Sequence, residues 1–190
     1  MKILYYTNSD VTDEKIIPNI IKRLTGDDVI ICKKKLTIEY IKKNRIEFIV
    51  SDRSRALITK DIINLFPKKI INLHPSFLPW NRGYHPNYWS AKENTPYGVT
   101  IHYIDEGIDT GMIIAQTEFS ISKENDTLKL SYDRLRKLMI SLFENCWIDI
   151  RNLNVGKKNQ EGNGTIHLKN DFEGEFSKLK LGWDTKLKDI

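Results

Sequence analysis

Short apolar runs alternate with amphipathic segments over the first 75 residues, and this alternation limits the fold more than any other feature of the sequence. Four runs have the length and composition of buried strands: residues 2–6, 29–32, 47–51 and 69–73. Helical spacing of apolar residues separates them at 13–24, 38–44 and 61–66. The alternation predicts an α/β fold with a Rossmann-like, mostly parallel sheet covered by helices on both faces.

The second half of the chain continues this pattern and then loses it. Residues 99–104 and 112–118 predict two more strands, and residues 127–150 predict a long amphipathic helix. After residue 150 the composition shifts to Gly, Asn, Lys and Asp, and glycines interrupt any periodicity. We therefore predict a catalytic core over 1–150 and a short C-terminal appendage over 151–190 that packs on the core. For the first helix, Thr12 or Asp13 is the expected N-cap.

Composition excludes several classes of protein. Apolar residues make up 40% and charged residues 29% of the chain, and no run of about 18 apolar residues or signal segment is present, which predicts a cytoplasmic protein without a membrane partner. Cys32 and Cys146 lack metal-ligand spacing, so no metal site is predicted. The net charge of +5 suits an anionic partner, but no basic stripe with interleaved aromatic residues accompanies it, and no nucleic-acid partner is predicted.

Three polar residues have the types and placement that acyl transfer requires. Asn72 and His74 lie two positions apart at the end of a predicted strand, so their side chains point to the same side. Asp109 lies in a glycine-rich turn, residues 107–111, between two predicted strands. An amide, an imidazole and a carboxylate around one pocket can bind a developing oxyanion and remove a proton from an amine. The residues alone also allow another interpretation, in which the histidine is structural and the asparagine and the aspartate only form turns.

Two sequence blocks resemble the formyltransferase family, which includes glycinamide ribonucleotide transformylase, methionyl-tRNA formyltransferase and the sugar N-formyltransferases. The blocks are NLHPSFLPWNRG at 72–83 and GVTIHYIDEGIDTG at 98–111, and both occur in the family's order and spacing. The resemblance implies that Asn72, His74 and Asp109 are the catalytic set. It also implies N10-formyltetrahydrofolate as the co-substrate that carries the formyl group, with no metal.

The resemblance also implies roles for residues around this set. The expected contacts with the folate are Arg55, Leu57, Asp105, Glu106 and Ile108. The expected contacts with the acceptor are Trp80, Asn81, Arg82 and Tyr84. His102 is expected to support the catalytic groups without taking part in the chemistry itself. Whether His74 or Asp109 is the general base stays open.

Departures from the family narrow the acceptor. The purine-pathway enzyme has a glycine in its first loop, whereas residues 7–12 contain none and include Asp10; the tRNA enzyme needs a C-terminal barrel that 40 residues cannot form. The remaining resemblance is to short sugar N-formyltransferases, and it implies the amine of a nucleotide-linked amino sugar for surface glycans, on a homodimeric enzyme. Glycinamide ribonucleotide transformylase is the alternative, and an inactive folate- or sugar-binding protein is the alternative from another class. The nucleotide, the sugar and the formylated nitrogen stay open.

Overall fold

The computed structural model describes residues 1–8, 13–54 and 56–190. The strands of this part of the chain are β1 (Lys2–Tyr6), β2 (Asp28–Cys32), β3 (Phe48–Asp52), β4 (Ile70–His74), β5 (Arg82–Gly83), β6 (Gly98–Tyr103), β7 (Ile113–Glu118) and β8 (Ile166–His167). Six of them form one sheet in the order β2-β1-β3-β4-β6-β7, in which β1 to β4 are parallel and β6 and β7 antiparallel. The predicted α/β class with a mostly parallel sheet is confirmed.

Six α-helices cover the sheet within the described residues: α1 (Ile16–Thr25), α2 (Ile38–Lys43), α3 (Lys60–Leu65), α4 (Pro86–Glu93), α5 (Leu128–Arg151) and α6 (Lys169–Phe176). Two 3-10 turns follow, Gly182–Asp184 and Leu187–Asp189. No helix in the ranges described is both long and apolar enough to cross a bilayer. The long helix α5 begins where the sequence predicts, because the Thr127 hydroxyl accepts a hydrogen bond from the Leu130 amide.

The start of α1 differs from the prediction. The helix begins at Ile16 after Lys15, and no side chain caps it. Asp13 is therefore not the N-cap; its carboxylate instead binds Arg136 of α5. Thr12, the other predicted cap, lies outside the described residues.

Alternate side chains of β1 enter two different cores, one on each face of the sheet. Ile3 and Tyr5 pack in the core that α1 and α5 cover. Leu4 and Tyr6 pack in the core that α2 and α3 cover. All four side chains are buried, as the two-residue period of a strand requires when both faces are covered.

The C-terminal residues pack on the sheet through apolar side chains and a strand pairing that the sequence does not indicate. Phe172 of α6 is buried in the larger core, and Phe176, Leu179 and Trp183 pack against it partly exposed. The short strand β8 pairs in parallel with β5, next to the end of β4. The boundary at residue 150 between a core and an appendage stays a prediction, and α5 itself runs to Arg151.

Candidate active site

The end of β4 lies where the sheet changes from parallel to antiparallel pairing. This strand has β3 on one side and β6 on the other, and Asn72 is directly opposite His102 of β6. Ligands of open α/β sheets bind beyond the carboxyl ends of strands at points where the topology changes. The two polar residues of β4, Asn72 and His74, are thus at the position where a ligand site is expected.

Asp109 is held against these residues by hydrogen bonds to both oxygens of its carboxylate. Its Oδ1 accepts from Asn72 Nδ2 at 3.0 Å, and its Oδ2 accepts from the Gly83 main-chain amide at 2.9 Å. The Asp109 backbone is left-handed, with φ of 51°. The turn between β6 and β7 thereby brings together Asn72, His74 and Asp109, the three residues that the sequence predicts as a set.

His74 is buried, and its ring geometry identifies which nitrogen can exchange a proton. Nε2 lies 3.1 Å from the Asn81 carbonyl, which only accepts, so Nε2 carries a hydrogen. Nδ1 lies 3.4 Å from Asp109 Oδ2. Burial lowers the pKa of His74, so the neutral ring with a free electron pair on Nδ1 predominates at neutral pH. A proton taken up at Nδ1 would lie directly beside the Asp109 carboxylate.

The Asp109 carboxyl remains ionised despite its burial. Burial alone favours the neutral acid, but the contacts with His74, His102 and the Gly83 amide outweigh it and lower the pKa of Asp109. The site therefore holds a fixed negative charge next to a neutral imidazole. This arrangement stabilises an imidazolium ion if one forms during a reaction.

His102 contacts both Asn72 and Asp109. Its Nδ1 donates to the Tyr103 carbonyl at 2.8 Å, and its Nε2 lies 3.3 Å from both Asn72 Nδ2 and Asp109 Oδ1. The Asn72 amide thus directs one hydrogen to Asp109 and the other to His102. A ligand oxygen that binds Asn72 would take the longer of these two contacts, the one with His102.

Two cavities meet at Asn72 and Asp109. The cavity lined in part by His102 of β6, here called the β6-side lobe, has a volume of about 520 Å³. The cavity lined in part by Lys129 and Tyr132 of α5, here called the α5-side lobe, has a volume of about 530 Å³. Both are lined by Ser54, Asn72, Gly83, Tyr84 and Asp109. Molecules bound in the two lobes would therefore meet at the amide of Asn72 and the carboxylate of Asp109.

Four of the five predicted folate contacts line the β6-side lobe: Leu57, Asp105, Glu106 and Ile108. Leu57, an apolar side chain of this lining, is 76% exposed. The carboxylate of Asp105 accepts from the Thr110 hydroxyl at 2.6 Å and the Gly107 amide at 3.1 Å, so it shapes the turn. Arg55, the fifth predicted contact, lies outside the described residues.

Aromatic and charged side chains line the α5-side lobe. Tyr84, Tyr132 and Trp183 are among them, and the Trp183 ring lies 5.1 Å from that of His85. Lys129, on the first turn of α5, lines the same lobe and pairs with Asp133 at 2.6 Å. Of the four predicted acceptor contacts, only Tyr84 lines this lobe.

Trp80, Asn81 and Arg82 line neither lobe, and their predicted contacts with the acceptor stay predictions. Asn81 has no exposed surface, and its Nδ2 donates to Ser90 at 2.8 Å and Thr95 at 2.6 Å. Its side chain therefore fixes the loop whose carbonyl binds His74. The loop is irregular and Asn81 has φ of 57°, so the sequence gives no indication of the direction of these side chains.

Arg82 and Trp80 are also absent from the lining of both lobes. The Arg82 guanidinium donates from Nε and Nη2 to Gln160 Oε1, at 2.9 and 2.7 Å. Trp80 is 36% exposed in the preceding loop. Both residues belong to the motif that carries the family resemblance.

Sequence reasoning missed several residues of the site. The Gly83 amide binds Asp109, and its position is available only to glycine, because φ is 90° and a Cβ would lie 2.3 Å from the His167 carbonyl. This glycine has a signal in the sequence, because it is the last residue of the first motif. Lys129 and Tyr132 come from the long helix, where no motif marks them, and Trp183 comes from the C-terminal residues. Among the described residues no group of His, Cys, Asp or Glu has the arrangement of a metal site, and a metal-independent reaction stays a prediction.

An amide, an imidazole and a carboxylate between two cavities, at the end of a strand in a Rossmann-like sheet, form an arrangement that suits group transfer between two bound molecules. Residues 32–145, more than half of the chain, match the family described as Formyl transferase. The chain belongs to this family, and the predicted family resemblance is confirmed.

One solved structure is similar over the full length of the chain. It is the formyltransferase PseJ from Anoxybacillus kamchatkensis, in complex with UDP-4,6-dideoxy-4-formamido-L-AltNAc and tetrahydrofolate. The two chains are 38% identical, with a TM-score of 0.91, and the match covers 100% of this chain and 98% of PseJ.

Two other relatives match over shorter segments. The dTDP-4-amino-4,6-dideoxyglucose formyltransferase of Mycobacterium tuberculosis is 36% identical over 97 residues, which are 51% of this chain and 41% of the relative. The phosphoribosylglycinamide formyltransferase of Bacillus subtilis is 54% identical over 41 residues, 22% of this chain and 20% of the relative. The chain thus spans about two fifths of the length of the mycobacterial enzyme that it matches.

Proposed function

We propose that this protein transfers a formyl group from N10-formyltetrahydrofolate to the 4-amino group of a UDP-linked 4,6-dideoxy amino sugar, a precursor of surface glycans. The observation that carries this proposal is the meeting of two cavities of similar volume at Asn72 and Asp109. One cavity suits the carrier and the other the acceptor, so that amine and formyl carbon are held together. Such positioning supplies a large part of the rate in a bimolecular reaction.

The β6-side lobe is the proposed site of the carrier. Its lining combines apolar side chains, among them Leu57, Ile104 and Ile108, with the main chain of the turn that begins at Asp105. A flat heteroaromatic ring with polar edges requires this combination, because apolar side chains cover its faces and main-chain groups bind its edges. The exposed Leu57 side chain would lose contact with water when the ring binds.

The α5-side lobe is the proposed site of the nucleotide sugar. Lys129 and Arg53 bring two cationic groups to a lobe whose other walls include Tyr132 and Trp183. Cations bind phosphates, and aromatic rings pack against sugars and bases. The choice of UDP and of a 4-amino group is supported by PseJ, whose bound product is a UDP-linked 4-formamido sugar and whose similarity covers the full chain. The mycobacterial relative is also named for a 4-amino sugar, linked to dTDP.

In the proposed reaction His74 is the general base. Its Nδ1 takes a proton from the amine as the amine attacks the formyl carbon, and Asp109 stabilises the resulting imidazolium. Asn72 donates an amide hydrogen to the formyl oxygen as that oxygen becomes negative. His74 then returns the proton from Nδ1 to the folate nitrogen, which leaves as the new amide forms. The carrier supplies the activated formyl group.

The proposal predicts a strong preference between acceptors. The purified protein should formylate a UDP-linked 4-amino-4,6-dideoxy sugar with a kcat/KM at least about 100-fold above that for glycinamide ribonucleotide, because one phosphate and a flexible glycyl chain leave the cationic and aromatic walls of the lobe unused. Competition between the two amines, followed by mass spectrometry, measures the ratio.

The matched control is the dTDP-linked 4-amino sugar, which changes only the nucleotide. A ratio near one for the sugar and glycinamide ribonucleotide would contradict the sugar assignment and favour the purine pathway, which the short match to the Bacillus enzyme represents. Equal rates with UDP and dTDP would contradict the choice of nucleotide alone.

A homodimer in the cytoplasm belongs to the same proposal. Ile148 and Leu130 of α5 and Leu181 of the C-terminal residues are large apolar side chains exposed on the surface of the chain. Association would remove such side chains from water. Light scattering at micromolar concentration should give twice the mass of the chain, and a monomer mass would reject the dimer.

A further inference from the structure

Gln160 lies in the C-terminal part of the chain, after α5. At the base of the active site its side chain uses its full hydrogen-bonding capacity. Its Nε2 donates to the carbonyls of Asp109, at 2.7 Å, and Gly111, at 3.0 Å. Its Oε1 accepts from Nε and Nη2 of Arg82, at 2.9 and 2.7 Å. A side-chain amide offers two hydrogens and two lone pairs, and all four are used here.

These bonds join the two segments that hold the catalytic carboxylate. One segment is the turn that carries Asp109 in a left-handed conformation, which a residue other than glycine keeps only where its surroundings impose it. The other is β5, whose Gly83 amide binds Asp109 Oδ2. Gln160 binds the turn through its carbonyls and β5 through Arg82, so it fixes the distance between them.

We infer that Gln160 is a positioning residue for Asp109: it holds the carboxylate against His74 and Asn72 by binding the main chain of the Asp109 turn, and this inference rests on the proposed formyl transfer. Gln160 lies outside the segment that matches the family, residues 32–145, and lines neither lobe of the site. The C-terminal residues thereby contribute to the reaction without touching a substrate.

Two substitutions at this position distinguish the role of the amide oxygen, which binds Arg82, from that of the amide nitrogen, which binds the Asp109 turn. Gln160→Leu removes every hydrogen bond, whereas Gln160→Glu keeps acceptors for Arg82 and replaces the donor to the Asp109 carbonyl by an oxygen that repels it. Because misplacement of a catalytic group by about 1 Å can cost about 100-fold, both variants should lower kcat by about 10- to 100-fold with the KM for each substrate near that of the wild type. If Gln160 only anchored Arg82, Gln160→Glu would keep its kcat.

The pH dependence of kcat gives a readout that a loss of stability would not change. His74 is faced by the Asp109 carboxylate, the His102 ring and the Arg82 guanidinium. Moving the carboxylate away removes a contact that raises the pKa of His74. The acidic limb of the kcat profile should therefore move to lower pH in Gln160→Leu, which introduces no new charge.

The experiment compares wild type, Gln160→Leu, Gln160→Glu and the neighbouring exposed Asn159→Ala as the matched control. Low kcat in both variants with the acidic limb of Gln160→Leu at lower pH, and normal kinetics in Asn159→Ala, support the inference; if Gln160→Leu does not fold, the kcat of Gln160→Glu decides alone. A folded Gln160→Glu with wild-type kcat overturns it, as does a fall in kcat that follows the melting temperature without a shift in pH. Failure of the proposed function is distinct, because the wild type itself would then transfer no formyl group.

Discussion

Asn72→Ala and His74→Gln should each lower kcat by about 100-fold or more, while binding of the folate carrier stays close to that of the wild type. In the proposed reaction Asn72 donates to an oxygen that becomes negative only in the transition state, and loss of one such donor costs about 100- to 1000-fold. In the same proposal His74 removes the amine proton through Nδ1, and general-base catalysis contributes about 100- to 10,000-fold. Steady-state kinetics with both substrates, and carrier titration by fluorescence, measure the two effects.

The choice of glutamine at position 74 protects the fold. His74 is buried and binds the Asn81 carbonyl, so alanine would leave that carbonyl without its partner, whereas glutamine carries an amide that can reach it. Asn170→Ala on the exposed side of α6 is the matched control for the asparagine substitution, and its kinetics should equal those of the wild type. Near-normal kcat in folded Asn72→Ala and His74→Gln would return both residues to structural roles.

Asp109→Asn should also lower kcat by about 100-fold or more, because it removes the charge that stabilises a protonated His74 and keeps the shape of the side chain. The same change should lower the pKa of His74 further, since a nearby anion favours the imidazolium and a neutral amide does not. The acidic limb of the kcat profile then moves to lower pH. A pH series of kcat together with the melting temperature of the variant tests both points.

The double variant of His74 and Asp109 should be little slower than the slower single variant. The two residues act on one proton, and groups that act as a unit show effects that do not add. A purely turn-forming aspartate would tolerate asparagine, which also suits turns. Full activity of a folded Asp109→Asn would therefore contradict a role of the carboxylate in the reaction.

The sequence predicts the sheet because its strands are buried on both faces and its helices have a clear apolar side. The apolar run that ends at Ser51 predicts β3, and the amphipathic spacing of residues 127–150 predicts α5, because both patterns reflect burial. Both elements form in these parts of the chain. The short strands β5 and β8 leave no such trace. Each has two residues, and their pairing depends on a glycine whose neighbour in the sheet is 84 positions away in the chain, Gly83 with His167.

The grouping of Asn72, His74 and Asp109 is predictable from the sequence, whereas the residues that support them are not, for a related reason. Asn72 and His74 point to one side because strand side chains alternate, and this holds before any tertiary contact forms. Asn81 and Arg82 lie in an irregular loop, where the direction of a side chain depends on contacts with distant residues such as Thr165 and Gln160. Residues of that kind are found only once the fold brings them together.

Transfer of an isotopically labelled formyl group tests the proposed function most directly. The purified protein is mixed with N10-formyltetrahydrofolate labelled with carbon-13 in the formyl group and with a UDP-linked 4-amino-4,6-dideoxy sugar, and the products are separated and weighed by mass spectrometry. We expect the sugar to gain one labelled formyl group at its amine, and the triple variant of Asn72, His74 and Asp109 to leave it unchanged. An unmodified sugar after prolonged incubation with folded protein that binds both the carrier and the sugar would contradict formyl transfer as the function.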